Sequence, residues 1–181
     1  YERVSELLNR ETNGNPFFVV EVLRALAEDA GQLDLVGAAT LPPNVFAGGI
    51  ISLVRHRLEQ LPQSARPLLE LAAVLGREVQ PDVLRQALKI DPALANTGFD
   101  LEKWLNACLS RAVLTLQDER WLFAHDKLRE ITLQEIPADH LRHLHQIAAL
   151  SIEAGSSGAP DAVAALAYHW NKAGNTEKEL H

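Results

Sequence analysis

Apolar residues recur at helical spacing through nearly the whole chain, and the period changes only once, between residues 113 and 124. There Val113-Leu114-Thr115-Leu116 and Trp121-Leu122-Phe123-Ala124 alternate at period two around Gln117-Asp118-Glu119-Arg120. That pattern predicts a β-hairpin with a polar turn. Everywhere else the apolar stripe is helical, cut into short pieces by Gly, Pro and small polar residues. A chain so punctuated is expected to be mainly α, with one hairpin.

The helical pieces can be placed in order. Residues 1–10 read as a short helix with Val4, Leu7 and Leu8 on one side. The turn Asn13-Gly14-Asn15-Pro16 leads into a second helix, with Asn15 as N-cap and Pro16, which has no N–H to leave unpaired, in the first turn. Phe17, Val20, Leu23 and Leu26 form its expected buried stripe, and Gly31 ends it. After a connector over 32–40, Leu41-Pro42-Pro43 opens a helix carrying Val45, Ile50, Ile51, Val54, Leu58 and Leu61, stopped by Pro62. Gly48 and Gly49 weaken it by ~1 kcal/mol each against Ala.

Ser64 is the expected cap of the next helix, 65–75, which Gly76 terminates. A short helix follows Pro81, then a polar connection over 91–100, then a helix over 101–110 burying Trp104, Leu105, Cys108 and Leu109. Beyond the hairpin come helices at 127–135, 139–153 and 161–173, the last two separated by Gly155-Ser156-Ser157-Gly158-Ala159-Pro160. Three short helices followed by a hairpin is the order of a winged-helix domain. The alanine-rich final pair suggests close stacking as in helical repeats, although one pair sets no period.

Composition narrows the function classes. Hydrophobic residues make up 47% and charged residues 23%, enough for a real core. A net charge of -7 argues against polyanionic partners such as nucleic acid or an anionic membrane surface. No apolar run approaches the ~20 residues a spanning helix needs, and no signal peptide is expected. The single cysteine, Cys108, cannot form an intramolecular disulfide and fits a reducing, cytoplasmic setting as a small core residue. With no methionine at all, not even at position 1, the chain is expected to be a piece of something longer.

Candidate chemistry is sparse. His140 and His143 share a helix face, while His145 points away, and no Cys or carboxylate completes a tetrahedral set, so no metal site is expected. His125-Asp126 reads as a helix start, with Asp126 complementing the dipole, rather than an acid/base pair. No nucleophile-elbow motif occurs, and no catalytic residue is assigned. For DNA, the helix at 101–110 would be the reading element. Its only cations are Lys103 and Arg111, beside Asp100 and Glu102, and the hairpin turn carries two acids and one base.

Taken together, five segments resemble the region behind the P-loop domain in STAND-type signalling ATPases, the AAA+-related regulators. They are Thr12-Asn13-Gly14-Asn15-Pro16-Phe17-Phe18 with Glu21-Val22-Leu23; Leu41-Pro42 through Arg57-Leu58-Glu59-Gln60-Leu61; Leu71-Ala72-Ala73-Val74-Leu75-Gly76-Arg77; Phe123-Ala124-His125-Asp126-Lys127-Leu128-Arg129-Glu130; and Arg142-His143-Leu144-His145. They occur in the family's order over nearly the full chain. The resemblance implies a helical lid subdomain over 1–61, a winged-helix domain over 62–137 and the start of a TPR-like repeat region over 138–181. It also implies that Gly14, Asn15 and Pro16 contact the adenine side of ATP or ADP, held with Mg²⁺ by a preceding P-loop domain.

The chain itself has no GxxxxGK[ST] and no acidic strand end to hold Mg²⁺, so hydrolysis is not expected of it alone. Its implied partners are the preceding ATPase domain and a following repeat domain of the same protein. The expected function is thus a regulatory module of a cytoplasmic signal-transduction ATPase. The alternatives are a DNA-binding winged-helix transcriptional regulator, opposed by charge, and a histidine-based enzyme, which lacks a convergent constellation.

Overall fold

The computed structural model describes residues 19–20, 49–95, 100–155 and 160–174. The chain divides into two units, Tyr1–Leu58 and Glu59–His181. In the first, Val19 and Val20 are helical, and helix α1 (Gly49–Glu59) runs to the boundary. Val54 on α1 is fully buried, but Ile51 is 52% exposed and Val20 50% exposed. Val20 was expected in a buried stripe. Val19 is more covered than Val20. The expected helix at 1–10 and the turn holding Gly14, Asn15 and Pro16 lie outside the described residues.

The second unit is built around α2 (Arg66–Leu75), in which Leu68, Leu69, Leu71, Ala72, Ala73 and Val74 are all buried. A helix apolar on every side must be covered on every side. Here α6 (Asp126–Glu135), α7 (Ala138–Gly155) and α3 (Pro81–Ile90) supply the cover. Ser64 does not cap α2. A single 3₁₀ turn over Gln63–Ala65 feeds directly into the helix, so Ser64 is already inside the coiled backbone. Pro67 occupies the first turn, where its missing N–H removes one orphan donor. Gly76 ends α2 at φ 149°, a conformation that a side chain rarely adopts.

A strand that periodicity does not reveal comes next. Glu78–Val79 forms β1, whose Glu78 pairs with Leu122 and Val79 with Trp121 on β3 (Arg120–Phe123). Two residues carry too little alternation to read as a strand; the pairing edge of β3 creates it. With β2 (Leu114–Gln117) on the other side, the sheet is antiparallel in the order β1-β3-β2. The expected polar connection over 91–100 contains a helical turn, α4 (Pro92–Ala95). Asp91 caps it by accepting from the Ala93 amide at 2.8 Å, and Leu94 is pinned into the core at 3% exposure.

Helix α5 (Leu101–Ser110) is capped by Asp100, whose side chain accepts from the Glu102 amide. It buries Leu101, Trp104, Leu105 and Cys108. Leu109 was expected among them, but it is 42% exposed. Leu101, Trp104, Leu105 and Cys108 keep the i, i+3, i+4, i+7 spacing, and Leu109 lies off the edge of that stripe. Finally α7 packs along α2 and α3, and α8 (Pro160–Ala173) packs on α7. Among the described residues, then, the molecule is mainly α, with one small open sheet of three strands. None of the described helices is long and apolar enough to cross a membrane.

Candidate functional site

Three places in the second unit bring chemistry-bearing side chains together. The first is the outer face of α5 with the β2–β3 turn. Glu102, Lys103, Asn106, Leu109, Ser110 and Arg111 are all exposed, as are Gln117, Asp118, Glu119 and Arg120. The turn is a two-residue loop with Asp118 at φ 48° and Glu119 at φ 63°. Those angles match the type I′ geometry that follows the twist of a hairpin. Arg120 leans across the sheet to Glu78 at 3.6 Å. Lys103 and Arg111 are therefore balanced by Asp100, Glu102, Asp118 and Glu119. The surface presents no run of cations to a phosphate backbone.

The second place is a row of ion pairs where α7 crosses α2 and the end of α3. His140 Nε2 lies 3.1 Å from Glu70 Oε2, and His143 Nε2 lies 3.3 Å from Asp91 Oδ2. The two rings are neighbours, 6.3 Å apart between centroids. Arg66 extends the row, reaching Glu135 at 2.6 Å and Glu70 at 3.8 Å. Each histidine has its own carboxylate, so these pairs tie helices together rather than converge on a point. Among the described residues, no group of three or more His, Cys, Asp or Glu could hold a metal ion.

The third place lies between α7 and α8. His145 turns inward from the exposed pair, and its Nδ1 sits 2.9 Å from Nδ1 of His169. Both rings are buried, at 6% and 2% exposure. Tyr168 meets each of them edge-on, and the Lys172 ammonium lies 5.8 Å from the Tyr168 ring. Burial first, then the Lys172 charge, lowers the His145 pKa. Burial, then His145 itself, brings His169 down to about 4. One neutral ring donates and the other accepts, which uses both facing nitrogens. The His125–Asp126 pair, in contrast, is a helix start. His125 Nδ1 accepts from the Lys127 amide at 3.1 Å, and Asp126 in the first turn meets Arg77 at 3.4 Å.

Cys108 is no nucleophile in this setting: it is fully buried, and desolvation pushes its thiol up to about 12. The spacing of 140, 143 and 145 already divides the exposed histidines from the inward one. The partner of the inward ring, His169, carries no local signal, because only the packing of α8 on α7 brings it there. Gly14, Asn15 and Pro16, expected to face a nucleotide, lie outside the described residues. No family model, curated protein or solved structure matches the chain.

Proposed function

We propose that the chain is a regulatory and structural module of a cytoplasmic STAND-type signalling ATPase. In this reading 1–61 is the helical lid, 62–137 the winged helix and 138–181 the start of a TPR-like repeat region. Gly14, Asn15 and Pro16 close over the adenine of ATP or ADP held with Mg²⁺ by a preceding P-loop domain. A proline ring suits that contact, being apolar, rigid and free of a competing donor. The chain supplies no phosphate cradle of its own, so phosphoryl transfer belongs to that other domain.

The observation that carries the reading is the order of elements in the second unit. Helix α2, strand β1, helix α3, the short turn α4, helix α5 and the hairpin β2–β3 follow one another, with strand order β1-β3-β2. That order fits the proposed winged helix, and in this reading it lies between the lid and the repeat segment. The balanced charge of α5 and the turn favours a coupler between domains over a DNA reader. The test is ADP binding by a chain extended upstream through the P-loop domain, with and without Pro16→Ala. Binding weakened by the substitution supports the lid. Indifference to it removes the assignment of Gly14, Asn15 and Pro16. Tight, salt-dependent DNA binding by the same protein would instead favour the transcriptional-regulator reading.

A further inference from the structure

The pairing of two buried imidazoles across a helix interface has a use beyond packing. We propose that the His145–His169 contact is an acid-sensitive latch: it holds α8 on α7 while both rings are neutral and releases α8 when they take up protons. The geometry carries this. At 2.9 Å the two Nδ1 atoms can share one proton. A second proton between them would place two N–H donors face to face at that distance, and both residues are buried.

Among the described residues, none offers the pair a counter-charge. From α8, Tyr168 and Lys172 face the pair, the one neutral and the other a cation. On α7, Asp139 pairs with Arg142, while His140 and His143 take Glu70 from α2 and Asp91 from the end of α3. Of the other charges on the two helices that α7 crosses, Arg66 is held by Glu70 and Glu135, and Asp82 pairs with Arg85. Lys89 contacts Gln86 at 3.5 Å. Among the described residues no carboxylate contacts either ring. A proton arriving here is therefore opposed by burial and by Lys172, and a second one also by the charge of the first ring.

The sign follows from linkage. Released rings regain the ordinary histidine value of 6.5, whereas the docked rings hold protons less tightly, His169 down to about 4. The released state then binds more protons, so docking is at full strength above about 6.5 and weakens as pH falls toward 4. From pH 7 to pH 5 the docked-to-released ratio should fall by about tenfold as the coupled pair takes up protons. Trp170, buried at 4% on the same helix, is uncovered when α8 leaves.

The test is amide exchange of the full chain at pH 7 and pH 5, corrected for the intrinsic pH dependence of exchange, beside an NMR titration of both imidazoles. The expected result is a loss of protection of about tenfold in α8, with α2 and α5 much less affected. The imidazoles should titrate over the range in which protection falls. His169→Asn, whose amide can occupy the place of Nδ1 without titrating, should flatten the pH dependence. Protection of α8 unchanged between the two pH values overturns the latch. So does an undiminished slope in His169→Asn, or imidazoles that titrate near 6.5 while α8 stays protected. The imidazole titration in the unaltered chain decides the matter even if the substitution prevents folding.

Discussion

Trp104 shows how much one side chain can secure. It is fully buried on α5, and its indole N–H donates to the Ala65 carbonyl at 2.9 Å, fastening α5 to the turn that starts α2. Trp104→Phe should destabilise the second unit by about 0.5–1.5 kcal/mol, the net worth of the one hydrogen bond lost, since the Ala65 carbonyl, as the N-cap of α2, keeps its bond within the helix, read from urea unfolding. Trp104→Ala adds a cavity and should cost about 3–5 kcal/mol. Cys108, one turn further along, gives a complementary readout. With its thiol held neutral to about 12, alkylation at pH 8 should proceed only as fast as the unit opens. Rapid labelling of the native protein would contradict that burial. Helical spacing alone placed both residues in the core. Leu109 was placed there too, because a stripe edge is set by neighbours that the spacing does not show.

The caps and turns explain which elements could be read in advance and which could not. The helix at 101–110 was readable from its apolar spacing, and its end falls at Ser110 as expected; Asp100, read as part of the connection, turns out to be its cap. The device that ends it was hidden. The Val113 amide reaches the Cys108 carbonyl and the Ala112 amide reaches the Leu109 carbonyl, both at 2.9 Å. This is a Schellman closure with Ala112 at φ 50°, where glycine is usual. Ala112→Gly should raise stability by about 0.5–1 kcal/mol in chemical denaturation, since the left-handed conformation strains alanine. A loss of stability would mean that the alanine methyl contributes more than the strain costs. Strand β1 and the turn α4 were not readable for a related reason. Each is two to four residues long and exists because tertiary partners, β3 and Leu94's pocket, hold it. The hairpin was readable, since its two strands are long enough to alternate.

In the second unit these pieces join a sheet-bearing module to a helix pair, through α7 lying along α2 and α3. Its histidines divide the work by environment: the exposed pair is matched to carboxylates, and the inward one is matched to His169. The sequence could separate the inward histidine from the others, but not name its partner on another helix. The proposed role in an ATPase makes this unit a relay: nucleotide held under Pro16 and a ligand on the repeats would bias the same two-state element. The most direct measurement is amide exchange over 59–174 in a chain extended upstream through the P-loop domain, with and without ADP. The account predicts that ADP slows exchange in α2 and α7, and that Pro16→Ala abolishes the slowing at ADP concentrations that saturate the unaltered chain. ADP binding that leaves exchange across 59–174 unchanged would contradict it.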